Sequence, residues 1–474
     1  MLFQTLDFLW LISAVLAGIV LLRSQTLKLT MILIASWIFY AAWEPIFLVL
    51  LLCCTLNDYL LGLAIARAQN RASRRRWLLL SLVTNLGVLA IFKYANFFVH
   101  SVNDAATWLG MEALLPAIQI TLPIGISFYT FHSMGYNIDV FRGRIEPERS
   151  LLRFAIYVAF FPQLVAGPIL RAGQFLPQLG RRIVLDARQL RSGLHLFLVG
   201  LVKKVVVADN VSPLVDHVFG SPQGLSSLVI WIATVGFAIQ IYCDFSGYTD
   251  MARGVSRMLG FEIPINFRYP YLARTITDFW RRWHISLSSW LRDYLYVPLG
   301  GNRHGTFATY RNLLLTMALG GLWHGASWNF VLWGLYQGGL LALERALGIG
   351  EPGSGSWLRV AIRWAICQYL VLLGWVLFRV TNSSDLAYCV RKFVIPDFAL
   401  QLTDLGLGNF NPFVVVGVVA GFAVAHLASF RVGGISEWLD AQGPWKRGLV
   451  WVASVLVLIV FWPSEQSAFI YFQF

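Results

Sequence analysis

His324 lies inside Leu313 to Leu347, a stretch otherwise almost wholly apolar, and His284 is embedded in FWRRWHISLSSWLRDY. An ionisable side chain at membrane depth costs free energy wherever it is not used, so a histidine there reads first as a functional group. Gly320, Gly321 and Gly325 flank His324 and let a second backbone or a ligand approach, while Trp323 and Trp328 are placed to wall a narrow passage. Burial favours the neutral imidazole, the state a general base needs. The competing reading is a core histidine bonded to a carbonyl across a helix interface.

The stretch Thr277 to Tyr296 is polar for its surroundings, with Asp278, Arg281, Arg282, His284, Ser288, Arg292 and Asp293. Asp278 and Arg282 are i,i+4 neighbours, as are His284 and Ser288. By pattern alone this reads as an amphipathic interfacial helix anchored by Trp280, Trp283 and Trp290, with His284 incidental. A third constellation, CDFSGYTD from Cys243 to Asp250, sets two carboxylates six residues apart at the end of an apolar run. It could hold a cation in ion-coupled transport, but a Ser246-Gly247 turn with locally paired acids is the favoured expectation.

What positions these residues follows from composition. Of 474 residues, 57% are hydrophobic and 13% charged, too little polar surface to cover a soluble globule of that size. The chain reads as an all-α polytopic membrane protein, one membrane-embedded domain over residues 1–474. Apolar runs recur at Phe8 to Leu22, Ile46 to Ala66, Trp77 to Phe92, Leu225 to Tyr242, Leu313 to Leu347, Trp357 to Phe378, Pro412 to Phe430 and Leu449 to Trp462. With shorter runs between them, about ten crossings plus re-entrant pieces are expected. The 19 Trp and 17 Tyr suit interfacial belts.

The first run reads as a retained helix: no Lys or Arg precedes it, and Arg23-Ser24 follows where a cleavage site would need small residues. The net charge of +13 gathers in loops, with Arg67, Arg71, Arg74, Arg75 and Arg76 in one cluster and Arg171, Arg181, Arg182, Arg188 and Arg191 in another. The positive-inside rule places both in the cytoplasm and the N-terminus outside. Most of these arginines read as orientation signals and contacts to anionic lipids. Leu151 to Leu170 has basic residues on both sides and is broken by Pro162, Gly167 and Pro168, so it reads as re-entrant, around a cavity.

Several function classes lose weight. No phosphate-cradling loop, dinucleotide fingerprint, GxSxG elbow or HExxH helix is present, and no internal repeat of the kind many secondary transporters carry. Cys53, Cys54, Cys243, Cys367 and Cys389 show no ligand spacing, so neither metal nor disulfide is expected, and they read as small core residues. No nucleic-acid partner is expected.

Beyond the histidines, PIGISFYTFHSMGY (123–136), FFPQLVAGPILR (160–171), DFSGYTDMARG (244–254), the run from Tyr269 to Gly305, LTMALGGLWHGASWNFVLWG (315–334), GWVLFR (374–379) and FIYFQF (469–474) form one pattern over nearly the whole chain. It resembles the membrane-bound O-acyltransferases, and within them the bacterial branch that O-acetylates alginate. The resemblance implies a tunnelled helical fold in the bacterial inner membrane, His324 as the catalytic histidine and His284 at a second, more variable polar position. It also implies acetyl-CoA as cytoplasmic donor, no permanently bound cofactor, a polysaccharide acceptor and periplasmic acetyl-accepting or transferase proteins.

Relatives that act on cellulose or peptidoglycan share these motifs, and neither Pro396 to Phe410 nor Arg431 to Lys446 carries a signature for one acceptor. Arg281 and Arg282 are candidate contacts to the donor's phosphates, and Asn302, Arg303 and Trp323 candidate oxyanion or substrate contacts. The rival of another class is a transporter or flippase in which His324 and Asp244 relay protons. Since Arg171 to Ser192 and Phe261 to Gly305 are too short to fold a carbohydrate-binding cleft, a relay to a separate protein is expected.

Overall fold

The computed structural model describes residues 1–350, 356–397, 399, 402–405, 412–463 and 469–470, and every regular element among them is helical. Of the terminal FIYFQF motif only Phe469 and Ile470 are therefore described, and much of 396–410 lies outside the described residues. The chain divides into two compact units, Met1–Gly193 with Ala252–Pro264, and Leu194–Met251 with Ile265–Phe474.

The first unit holds α1 (Leu6–Leu21), α2 (Gln25–Ala41), α3 (Ile46–Arg67), α4 (Arg71–Leu89), α5 (Ala95–Trp108), α6 (Ile126–Phe141), α7 (Leu151–Ala159) and α8 (Ala172–Leu179). A π-helical turn, Ala90–Tyr94, joins α4 to α5 into one rod. Local chemistry sets the starts: Thr5, Ser24, Asn70 and Ser150 each cap a helix by accepting a backbone N–H. Arg74, one of the clustered arginines, donates from Nη2 to the Val140 and Phe141 carbonyls at 3.0 Å each and so closes the C-terminal end of α6.

The 151–170 segment is helical only over the nine residues of α7, too few to cross a bilayer, and then runs as buried turns. Its polar backbone is satisfied from within. His132 on α6 accepts the Leu170 N–H at Nε2 (3.0 Å), Tyr157 donates to the His132 carbonyl (3.0 Å), and Ser36 accepts the Phe161 N–H (3.2 Å). Irregular backbone inside a membrane protein demands such partners.

The second unit takes in most of α9 (Ala187–Leu201), α10 (Asp209–Gly220) and most of α11 (Ser227–Met258). It then continues through α12 (Ile276–Arg282), α13 (Ile285–Leu291), α14 (Gly305–His324), α15 (Trp328–Ala346), α16 (Trp357–Arg379), α17 (Ser383–Val394), α18 (Pro412–Val432), α19 (Ile435–Ala441) and α20 (Pro444–Val460). The apolar run from Leu313 to Leu347 is thus two helices, broken at Gly325–Ser327. They pack very closely: a Cβ at Gly321 would collide with the Phe330 carbonyl, and one at Gly334 with the Met317 carbonyl.

Five described helices are long and apolar enough to cross a membrane: α3, the Arg71–Trp108 rod, α11, α16 and Val415–Val432 of α18. The protein is a multi-pass membrane protein. Of its apolar window, α11 buries 78% against protein, whereas Val415–Val432 buries 11%. α11 is therefore the interior helix of its unit, and only there are Gln240, Asp244, Ser246, Thr249 and Asp250 tolerable.

The Ser246-Gly247 turn expected from sequence does not form; both residues sit inside continuous α11. Gly247 serves another purpose, since a Cβ there would lie 2.7 Å from the Gly200 carbonyl of α9. Nor do the acids pair locally. The π-helical turn Val202–Ala208 after α9 directs successive lysines at α11, Lys203 Nζ to Asp250 at 2.7 Å and Lys204 Nζ to Asp244 at 2.8 Å. Lys204 also meets Asp209 at 2.8 Å. The cysteines are free; Cys243, Cys367 and Cys389 are buried as expected, but on α3 Cys53 is exposed and Cys54 half-buried.

Candidate active site

His284 owes its position to its neighbours in sequence. Thr275 accepts the Asp278 N–H (3.0 Å) to start α12, and Glu344 on α15 accepts from the Thr277 N–H (3.0 Å), its hydroxyl (2.9 Å) and the Ile276 N–H. A carboxylate at a helix N-terminus meets the positive end of its dipole. Asp278 holds Arg282 Nε at 2.7 Å, the i,i+4 pair read from sequence. The helix stops at Arg282. Trp283 stacks on Phe279 (5.6 Å between centroids), and His284 turns the chain with φ 41° and ψ 55°.

A left-handed non-glycine residue is held only by strong surroundings, and such strain gathers at working sites. Here the surroundings are Asn266, whose carbonyl accepts the Ile285 N–H (2.9 Å) and whose Oδ1 accepts the Ser286 N–H (3.2 Å) and hydroxyl (2.9 Å). The interfacial-helix reading fails on burial: His284 is 0% exposed, Trp283 1% and Trp290 5%. Burial, and after it the neighbouring His324 ring, pushes the His284 imidazole well below its ordinary pKa.

His324 ends α14 and is 5% exposed. Aromatic rings surround it edge-on: Trp323 at 5.1 Å, Trp333 at 5.2 Å and Phe378 at 5.5 Å between centroids. Trp333, not Trp328, is the wall, since Trp328 is 63% exposed. The two imidazoles lie 6.3 Å apart centre to centre, with Trp323 5.9 Å from His284. Phe245, next to Asp244 on α11, also packs edge-on against His284 at 4.7 Å between centroids.

A cavity of about 220 Å³ opens onto His324, bounded by Trp280, Ser288, Arg292, Thr316 and Trp333 among others. It is smaller than the roughly 300–1,000 Å³ of pockets that hold whole drug-sized ligands. It accommodates a reacting end, not a nucleotide. No three His, Cys, Asp or Glu side chains among the described residues group as metal ligands.

The other sequence candidates separate. Trp323 joins the two histidines, Arg282 is taken up by Asp278, and Arg281 is exposed beside them in sequence. Asn302 and Arg303 are exposed before the start of α14, whose 20 residues rise about 30 Å to His324, so they stand away from its imidazole.

Residues 145–349, which contain both histidines, match the model of the membrane-bound O-acyltransferase family. A probable alginate O-acetylase of Pseudomonas syringae pv. tomato is 46% identical over 438 residues, 91% of this chain and 82% of the relative. Its counterpart from Azotobacter vinelandii is 39% identical over 100% of both chains. A peptidoglycan O-acetyltransferase of Helicobacter pylori is 37% identical over 94% of this chain and 91% of its own. The chain belongs to the membrane-bound O-acyltransferase family.

Within this membrane-bound O-acyltransferase several positioning residues escaped sequence reading: Asn266, Glu344, Phe245, Trp333 and Phe378. Asn266 and Phe245 lie 18 and 39 positions from His284, and Glu344 more than 60 from the helix it caps, so only folding joins them. Arg292 carried a signal, its place in the polar run after His284, but only the structure puts it on the cavity wall.

Proposed function

We propose that this O-acyltransferase is an O-acetyltransferase of the inner membrane that takes acetyl from cytoplasmic acetyl-CoA for O-acetylation of an envelope polysaccharide, alginate being the leading acceptor. The observation that carries the reading is the buried pair His284 and His324, 6.3 Å apart, with His324 on a small aromatic-walled cavity. The alginate acceptor rests on likeness to probable alginate O-acetylases at 39–46% identity.

Acyl transfer needs a base for the incoming hydroxyl, a thioester held beside it, and exclusion of the water that would hydrolyse that thioester. His324 takes the hydroxyl proton as the acceptor oxygen attacks the acetyl carbonyl. The C–S bond breaks as the C–O bond forms, and the proton passes to the departing thiolate. General-base help of this kind is worth roughly 10²- to 10⁴-fold. Trp323, Trp333 and Phe378 keep bulk water from the imidazole. Arg292, which lines the cavity and pairs with Asp293 at 2.8 Å, and the exposed Arg281 are the cations assigned to the donor's phosphates.

The acceptor polymer is large and lies outside the membrane, so the acetyl group passes to a periplasmic transferase that completes delivery. The test is transfer from labelled acetyl-CoA by purified protein, alone and with the periplasmic partner. Thioester turnover that requires His324, with polymer acetylation appearing on adding the partner, supports the reading. Thioester left intact, with transport across vesicles instead, would favour a proton-relaying transporter.

A further inference from the structure

Thr316 precedes His324 by about two turns on α14, is 6% exposed, and its hydroxyl is buried with no hydrogen-bond partner in the protein. Hydroxyls inside helices commonly return a bond to the carbonyl four residues back. Thr309 does so on the same helix, to the Gly305 carbonyl at 2.9 Å, and Ser36, Thr55, Thr234 and Ser256 do so on theirs. Thr316 does not, and a buried polar group left unpaired calls for an explanation.

Thr316, Gly320 and His324 follow one another at four-residue intervals on one side of α14, and all three line the cavity that opens onto the imidazole. On that helix the lining begins at Leu313, so the cavity extends about 16 Å along the helix rise. A volume of about 220 Å³ over that length is a narrow slot. Gly320 keeps it open at mid-length, since a Cβ there would lie 3.0 Å from Leu291 Cδ1. After Leu291 the π-helical turn Arg292–Tyr296 leads back along α14 to Asn312, whose Nδ2 donates to the Leu299 (3.1 Å) and Gly301 (3.0 Å) carbonyls. The end of the slot away from His324 points toward this loop, where Arg303 and Arg311 are exposed. The positive-inside rule puts such an end on the cytoplasmic side.

A slot of this shape takes a flexible chain and no sugar ring. Its walls are mainly apolar, Leu287, Leu313, Met317 and Leu341 among them, and the Ser288 hydroxyl on the wall is already given to the Trp283 carbonyl at 3.2 Å. Resting on the acetyl-CoA reading above, we propose that the slot holds the thioester-bearing arm of the donor and that the Thr316 hydroxyl donates to an amide carbonyl of that arm. The arm alternates methylene runs with amides. An amide brought into apolar surroundings without a partner costs free energy, as does a buried hydroxyl, and here each satisfies the other. Thr316 is thereby a donor-binding residue that fixes how far the thioester advances toward His324.

The test compares Thr316→Val, which replaces the hydroxyl by a methyl group, with Thr316→Ser, which keeps it. Without donor, Thr316→Val should unfold at a temperature no lower than the wild type's, because the hydroxyl it removes has no partner in the protein. In turnover it should raise the KM for acetyl-CoA about tenfold, the worth of one hydrogen bond, with kcat changed less, and Thr316→Ser should restore most of the loss. Pantetheine, which is the arm without nucleotide or acetyl group, should compete with acetyl-CoA, and its inhibition constant should rise by the same factor in Thr316→Val. Donor KM and inhibition constant both unchanged in Thr316→Val would overturn the proposal while leaving the acetyltransferase reading in place. So would a lowered unfolding midpoint that serine restores, which would make the hydroxyl a structural contact, or an effect confined to the acceptor's KM. If wild-type protein turns over no acetyl-CoA, the acetyltransferase reading falls and this assignment with it.

Discussion

Asn266 holds Ser286 twice through one side-chain oxygen, the N–H at 3.2 Å and the hydroxyl at 2.9 Å. The grip falls two residues after His284 and fixes a backbone turn that histidine would not adopt unaided. Asn266→Ala removes an acceptor from two buried donors. The expected result is normal membrane abundance with kcat down about tenfold or more, about the energy of one lost hydrogen bond, and donor KM little changed. An unchanged kcat would show that the turn holds without it.

The backbone and imidazole of His284 can be tested separately. Asparagine adopts the left-handed region more readily than alanine. His284→Asn should thus keep the midpoint of the wild type, and His284→Ala should lower it, while both impair transfer. Equal midpoints for the two would mean that the turn stores no strain.

For His324 the expected loss is larger. His324→Ala should reduce acetyl transfer by roughly 10²- to 10⁴-fold with the protein still inserted. Near-normal turnover at normal expression would exclude it as the base.

The three arginines around His284 are expected to act differently. Arg292→Gln and Arg281→Gln should raise the donor KM more than they lower kcat, the pattern of lost uniform binding. Arg282→Gln, which breaks the pair with Asp278, should act on stability instead. If all three leave the KM for acetyl-CoA unaltered, the donor's phosphates are held elsewhere.

Lys204 is the ion partner of two buried acids, Asp209 and Asp244. Lys204→Met should destabilise by roughly 3–5 kcal/mol, because uncompensated buried charge is left behind. Combining it with Asp209→Asn and Asp244→Asn should recover much of the lost expression, measured as detergent-stable monodisperse protein. Failure to recover would mean that the charges, and not merely their balance, are required.

How far the sequence reached depends on the range of the interaction. Helices declared themselves through apolar length and caps such as Thr5 and Asn70, and Asp278–Arg282 through its four-residue spacing. His324 stood out because an imidazole between glycines and tryptophans is unusual in an apolar run, and the structure adds the aromatic-walled cavity that it lines. Gly247 was misread because a glycine after serine signals a turn equally well as a contact, and only the Gly200 carbonyl opposite decides. Trp328 was misread because two indoles flanking His324 look equivalent until α15 turns one of them outward. Asn266 and Glu344 act across many residues of chain and leave no local pattern at all.

The acid on α11 also imposes an order in time. Asp244 Oδ1 meets Lys204, made 40 residues earlier, but Oδ2 accepts the N–H of Ile470, 226 residues further on. At roughly 5–20 residues per second, a ribosome needs on the order of 10 to 45 s to supply that partner. For that interval α11, 78% buried over its apolar window, carries a half-satisfied carboxylate next to Phe245, which packs on His284. Maturation of this enzyme is thus timed by the arrival of the segment around Ile470, and a pulse-chase of newly synthesised chains should find protease resistance around α11 arriving late.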